Sequence, residues 1–100
     1  MRKLKWYFKN GTKYELFSVL YEEGDYILVM NDDTKKYSFG LNRDFGSLYG
    51  FPVNQSCLTI KELKKQLNAF IKIDNKYISS LGEYAEKNIK RWQNMIKAVT

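Results

Sequence analysis

The sequence predicts an α+β fold: a four-stranded antiparallel β-meander in the order 1-2-3-4, with two C-terminal amphipathic helices packed on one face (ββββαα). Three observations predict it. Residues 1–39 alternate apolar and polar side chains in short runs broken by turn-forming residues, the pattern of half-buried strands joined by hairpins. Residues 59–100 repeat their apolar residues at helical spacing behind a capping signal. One apolar sheet face and two apolar helix stripes then bury each other in a single layer contact. With 100 residues, 44% of them hydrophobic, the chain reads as one domain: the meander at 1–39, a long aromatic loop at 40–58 and two helices at 59–100.

The elements follow in order. Residues 3–9 (KLKWYFK) alternate and lead into Asn10-Gly11. That dipeptide is the strongest short hairpin signal, because a type I′ turn needs positive φ at both central residues. Residues 12–21 make the second strand, 22–25 with Gly24 a turn, 26–31 the third strand, Asp32-Asp33 another turn, and 34–39 the fourth strand. A two-residue loop at Asn10-Gly11 sets Trp6 opposite Glu15, and carrying the alternation through all three turns sorts the side chains into two faces. The predicted core face holds Leu4, Trp6, Phe8, Phe17, Val19, Tyr21, Tyr26, Leu28, Met30, Tyr37 and Phe39. The predicted open face holds Lys3, Lys5, Tyr7, Lys9, Tyr14, Leu16, Ser18, Leu20, Ile27, Val29, Lys36 and Ser38.

Residues 40–58 show no period and contain three Gly, the only Pro, and Phe45, Tyr49 and Phe51. Their aromatics argue against disorder, and the expectation is a loop that folds over a sheet edge and buries its own rings. Thr59 to Glu62 forms a capping box, and Ile60, Leu63, Leu67, Phe70 and Ile71 supply the first helical stripe. The helix reaches Ile73, or runs on through Tyr77 and Ile78 toward Ser80, with Asp74-Asn75 as the weak point. Ser80 to Glu83 reads as a second capping box. Behind it Leu81, Ala85, Ile89, Trp92, Ile96 and Val99 share a face, with Tyr84 and Met95 at its flank.

Composition excludes several chemistries. The chain has no His, which removes the commonest general base, Ser-His-Asp and Cys-His arrangements and His-containing zinc sites. A single Cys, Cys57, forms neither an internal disulfide nor a CxxC site and reads as a small buried hydrophobe. There is no Walker motif and no GxGxxG. Asp32 and Asp33 fit a turn better than a cation site. No titratable cluster is poised for catalysis, so a non-enzyme without cofactor or metal is expected. No apolar run approaches the roughly 20 residues of a membrane span, and the N-terminus lacks a signal peptide's apolar core. The chain begins at Met1 and reads as a complete small cytoplasmic protein. Lys outnumbers Arg 14 to 3, and Asn, Ile, Tyr and Phe are plentiful. AT-rich codons favour these residues, which points to a low-GC bacterium or one of its phages.

The net charge of +6 is unevenly spread. Residues 1–20 carry five basic residues against Glu15 and residues 59–100 carry nine basic against four acidic, while 21–58 carry three basic against six acidic. Two basic surfaces follow. Lys3, Lys5, Lys9 and Lys36 surround Tyr7 and Tyr14 on the open face, which also carries an aliphatic patch of Leu16, Leu20, Ile27 and Val29. Lysines beside exposed aromatics suit single-stranded nucleic acid, but Lys also guards strand edges and Tyr is a good strand former. The second surface is helical: Lys87, Lys90, Arg91, Asn94 and Lys97 on the last helix, and Lys61, Lys65, Asn68 and Lys72 on the first. Glu83 and Glu86 precede Lys87 and Lys90 by four residues, the order of helix ion pairs.

The aliphatic patch and the aromatic loop favour a partner-binding role. The expected protein is a small regulator or inhibitor of a larger protein or nucleoprotein machine, of the general kind of phage-encoded anti-defence and anti-CRISPR proteins. Its contacts are the open face together with Arg43, Tyr49 and Phe51 of the loop. The second reading is direct nucleic-acid binding, through the basic aromatic face or through Lys87, Lys90, Arg91 and Lys97. The third is a homodimer formed through the open face or an unpaired edge strand.

Overall fold

The computed structural model describes residues 2–7, 14–41 and 58–100, with the backbone alone at Trp6 and Tyr7. The Asn10-Gly11 turn, Phe8, Lys9, and the stretch carrying Arg43, Phe45, Tyr49, Phe51 and Cys57 lie outside the described residues. The fold is α+β. Strands β1 (Lys3–Tyr7), β2 (Tyr14–Glu23), β3 (Tyr26–Asn31) and β4 (Tyr37–Leu41) form one antiparallel sheet in the order β1-β2-β3-β4. Helices α1 (Ile60–Lys76) and α3 (Glu83–Ala98) follow, joined through a single helical turn, α2 (Ile78–Leu81). Leu58 pairs with Tyr37 by two backbone hydrogen bonds of 2.7 and 3.1 Å, so the chain returns along the free edge of β4 before α1 begins.

The registers explain which side chains meet the helices. Trp6 lies opposite Glu15, as expected for the first hairpin. The second turn is tighter than predicted: Gly24, at φ 58, and Asp25 alone separate Glu23 from Tyr26. The third is longer, and Met30 lies opposite Tyr37. Both differences move the pairing by two residues, and a two-residue shift leaves every side chain on its predicted face.

A one-residue shift does not. Val19 pairs with Val29, but Tyr21 pairs with Leu28, so Leu20 is an extra residue on β2. This β-bulge reverses the faces of the described strand residues before it. Tyr21, Tyr26, Leu28, Tyr37 and Phe39 face the helices, as predicted. Leu4, Phe17 and Val19, also predicted there, lie on the opposite face with Ile27 and Val29. Lys3, Lys5, Leu16 and Ser18 move the other way: Ser18 pairs with Met30 and Lys3, which places this row on the helix side.

The core under the helices is built from Leu28, Phe39, Leu58, Leu63, Leu67, Trp92 and Met95. Each such side chain contributes about 1.5–3 kcal/mol on burial. Trp92 is its centre: its ring meets Tyr26, Phe39 and Phe70 at centroid distances of 5.9, 5.9 and 5.5 Å. Its indole N–H donates to Asp74 at 2.9 Å, which ties α3 to α1. Met95, expected at the flank of the stripe, is fully buried.

Thr59 caps α1 as predicted. Its hydroxyl accepts from the Glu62 N–H at 3.2 Å and the Glu62 carboxylate accepts from the Thr59 N–H at 2.9 Å. These bonds hold the Glu62 carboxyl below its usual range. The second predicted capping box does not form. Ser80 lies inside α2, and α3 starts from Gly82, whose φ of 56 suits glycine, with no side-chain cap.

Candidate functional site

The expected basic aromatic face is divided by the bulge. Ile27 and Val29 are fully buried against Phe17 and Val19, and Leu20 packs with the helical core. The aliphatic patch of Leu16, Leu20, Ile27 and Val29 is therefore not one surface. On the helix side, beyond the reach of the helices, β1 and the start of β2 leave Lys3, Lys5 and Tyr14 exposed and Leu16 half-buried. Lys36 is exposed near the β3–β4 turn. The side chain of Tyr7, with Lys9, Arg43, Tyr49 and Phe51, lies outside the described residues.

The basic groups of this ledge are already partnered. The Lys3 ammonium donates to Ser18 Oγ and to Asp32 Oδ2, both at 2.7 Å, and the Ser18 hydroxyl donates to Asp32 Oδ1 at 2.5 Å. The two hydrogen bonds that Asp32 accepts, from Lys3 and Ser18, with the positive charge of Lys3, hold its carboxyl below the usual range. The trio joins a hydroxyl, an amine and a carboxylate, but it does not activate the hydroxyl. Catalysis needs a neutral amine or a basic carboxylate to take the serine proton. Here the lysine is a donor in an ion pair and the carboxylate is a weakened base. The cluster instead braces β1 and β2 against the turn after β3. Lys5 is held over the Tyr14 ring at 4.8 Å.

That turn is built by Asn31, whose side-chain carbonyl accepts from the N–H groups of Asp33 and Thr34 at 2.9 and 3.1 Å. Lys35 completes it at φ 60. The turn reading of Asp32-Asp33 thus describes their local geometry, and among the described residues no three His, Cys, Asp or Glu side chains gather as a metal site. Beside it, Glu15 Oε2 and Asn31 Nδ2 are buried with no hydrogen-bond partner among the described residues. Burial, and then the charge of Asp33, push the Glu15 carboxyl up.

Of the predicted nucleic-acid residues on the last helix, Arg91 is committed elsewhere. Its Nε donates to Glu23 at 2.8 Å and its Nη1 to Asn88 at 2.6 Å, and its guanidinium lies 3.7 Å from the centre of the Tyr26 ring. The side chain is only 11% exposed. Arg91 fastens α3 to the β2–β3 hairpin. Lys87 and Lys90 are exposed in a shallow depression shared with Glu83 and Glu86, and Lys97 is exposed beyond it. The first helix is different. Lys61, Lys65, Asn68 and Lys72 are all exposed along one side of α1, and Lys76 extends their row.

Most of the exposed large apolar side chains among the described residues fall where no site was anticipated. Ile73, Tyr77, Ile78, Leu81 and Tyr84 gather where α1, α2 and α3 meet, and they are 52, 47, 37, 48 and 67% exposed. Every residue from Asn75 to Tyr84 is exposed, so this end of the helical hairpin stands clear of the sheet. The sequence signal was present in the breaks at Asp74-Asn75, Ser79-Ser80 and Gly82. Apolar residues crowded around helix breaks have no continuous stripe to join. No described helix is long and apolar enough to cross a membrane. The chain matches no family model, no curated protein and no solved structure.

Proposed function

We propose that this protein is a non-catalytic interaction protein, a regulator or inhibitor that binds a larger protein through the uncovered end of its helical hairpin. The exposure of Ile73, Tyr77, Ile78, Leu81 and Tyr84 carries this reading. Their exposed areas together come to on the order of 500 Å², the size of the largest and often functional patch on a monomeric protein. With its rim, such a patch approaches the roughly 800 Å² per partner of a standard interface. Tyr77 and Tyr84 are of a residue type enriched among the anchors of protein contacts. The charges around it balance: Lys72, Lys76 and Lys87 against Asp74, Glu83 and Glu86. A neutral apolar surface suits another protein better than an anionic membrane, which selects clustered basic residues. Size and AT-favoured composition support a bacterial cytoplasmic target and a phage-encoded inhibitor, in the manner of anti-CRISPR proteins.

The experiment is affinity capture from bacterial extract with nuclease, comparing the parent with Leu81→Asp and Tyr84→Ser. The expected result is a protein retained after nuclease treatment and lost with both variants, while light scattering finds the parent monomeric. Capture that both variants preserve overturns the reading, as does a dimer of the parent dissociated by Leu81→Asp.

A further inference from the structure

We propose that the outward side of α1 is a docking surface for the phosphate backbone of duplex DNA. The helix carries five lysines and two acidic residues, Glu62 and Asp74. Both acids are used inside the fold, Glu62 in the capping box with Thr59 and Asp74 on the Trp92 indole. The lysines have no such use beyond a contact of Lys76 with the neighbouring Tyr77 ring at 5.7 Å. Lys61, Lys65, Lys72 and Lys76 are exposed, and among the described residues none is within ion-pair distance of a carboxylate. Their spacing puts all four on one face, opposite the buried Leu63 and Leu67. Lys61 with Lys65 and Lys72 with Lys76 are like-charge pairs one turn apart, an arrangement that destabilises a helix standing alone. A polyanion along this face removes that repulsion.

The row spans about 22 Å at 1.5 Å per residue. Duplex DNA presents a charge every ~1.7 Å of its axis, so four lysines over that length find phosphates whatever the sequence. Between the lysines from Lys61 to Lys72 this side carries only Asn68 and Ala69, and among the described residues a single ring, that of Tyr77, lies at the far end of the row, 5.7 Å from the Lys76 ammonium. Single-strand binders stack successive bases on several rings, so the duplex is favoured. The last helix, by contrast, mixes Lys87 and Lys90 with Glu83 and Glu86 and uses Arg91 internally. Lys72 and Lys76 also border the apolar helical end, whereas Lys61 and Lys65 lie at the opposite end of α1 from it, so a variant of that pair tests this surface alone.

The test is fluorescence anisotropy of the full chain with a labelled duplex of about 20 base pairs between ~50 and ~200 mM salt. Four phosphate contacts give a salt slope of about −3.6, a loss on the order of 100-fold across that range. The double variant Lys61→Glu with Lys65→Glu is expected to bind at least tenfold more weakly, with about half the slope. Lys87→Glu with Lys90→Glu on α3 leaves both unchanged, and circular dichroism checks that each variant is folded. Absence of binding at the lowest salt overturns the proposal, as does an α1 variant that binds like the parent or tighter binding of the single strand than of the duplex.

Discussion

Glu15 and Asp32 sit near one end of the sheet, and their surroundings shift them in opposite directions. Glu15 loses solvent, has one oxygen without a partner among the described residues and feels Asp33; these outweigh the opposing pull of Asn31, so the folded chain holds its proton more tightly than the unfolded chain does. Stability from this group is present at low pH and lost as pH rises through its raised pKa. Glu15→Gln, which resembles the protonated form, is therefore expected to melt higher than the parent at neutral pH. The gap should close as pH falls through the ordinary glutamate range near 4.3. Asp32 runs the other way. Its contribution is present above about 3.9 and lost as pH falls through its lowered pKa, so Asp32→Asn melts lower at neutral pH. Thermal melts across that range check both signs, and a Gln variant less stable than the parent at neutral pH sinks the burial account of Glu15. The turn around these residues was legible from Asn31, Asp32 and Asp33. The brace was not, because Lys3, Ser18 and Asp32 meet only after two hairpins have folded.

At the scale of elements, the two capping signals in the sequence had different fates for a backbone reason. Thr59 has extended dihedrals, φ −69 and ψ 165, from which its hydroxyl reaches the Glu62 N–H. Ser80 already belongs to a helical turn, its N–H bonded to the Tyr77 carbonyl at 3.0 Å, and Gly82 turns the chain before α3 starts. Thr59→Ala is expected to cost about 1 kcal/mol, while Ser80→Ala stays within about 0.5 kcal/mol of the parent. Urea unfolding with an unchanged m-value measures the difference. Both long helices were legible from the spacing of Leu63, Leu67, Phe70, Trp92 and Ile96. The break between them was marked by Asp74-Asn75 and by Ser80 to Glu83, but its bounds were left open, because the apolar Tyr77 and Ile78 keep the spacing of the first stripe past Lys76.

Over the whole molecule, Arg91 is the fastening between the halves. It holds Glu23 and the Tyr26 ring of the second hairpin from a position on α3, while Asp74 and Trp92 lock the helices to each other. A lysine keeps the charge but not the flat, forked guanidinium that stacks and donates in two directions. Arg91→Lys is expected to cost about 1–3 kcal/mol, whereas the exposed Lys90→Ala changes stability little; chemical denaturation of the two side by side decides it. The meander, its order and its helical cover followed from alternation and turn chemistry. The two faces did not, since one residue in the middle of β2 exchanges them and nothing in the run FSVLY marks Leu20 as the extra one. The apolar end that carries the proposed function escaped notice for a related reason: exposure depends on where the helices stop. The residue at position 20 also governs how sister sequences would line up with this one. A chain lacking it must invert the polarity of its first strand to keep the same roof, so an insertion or deletion in mid-strand here exchanges inside for outside and is not the harmless drift of a loop.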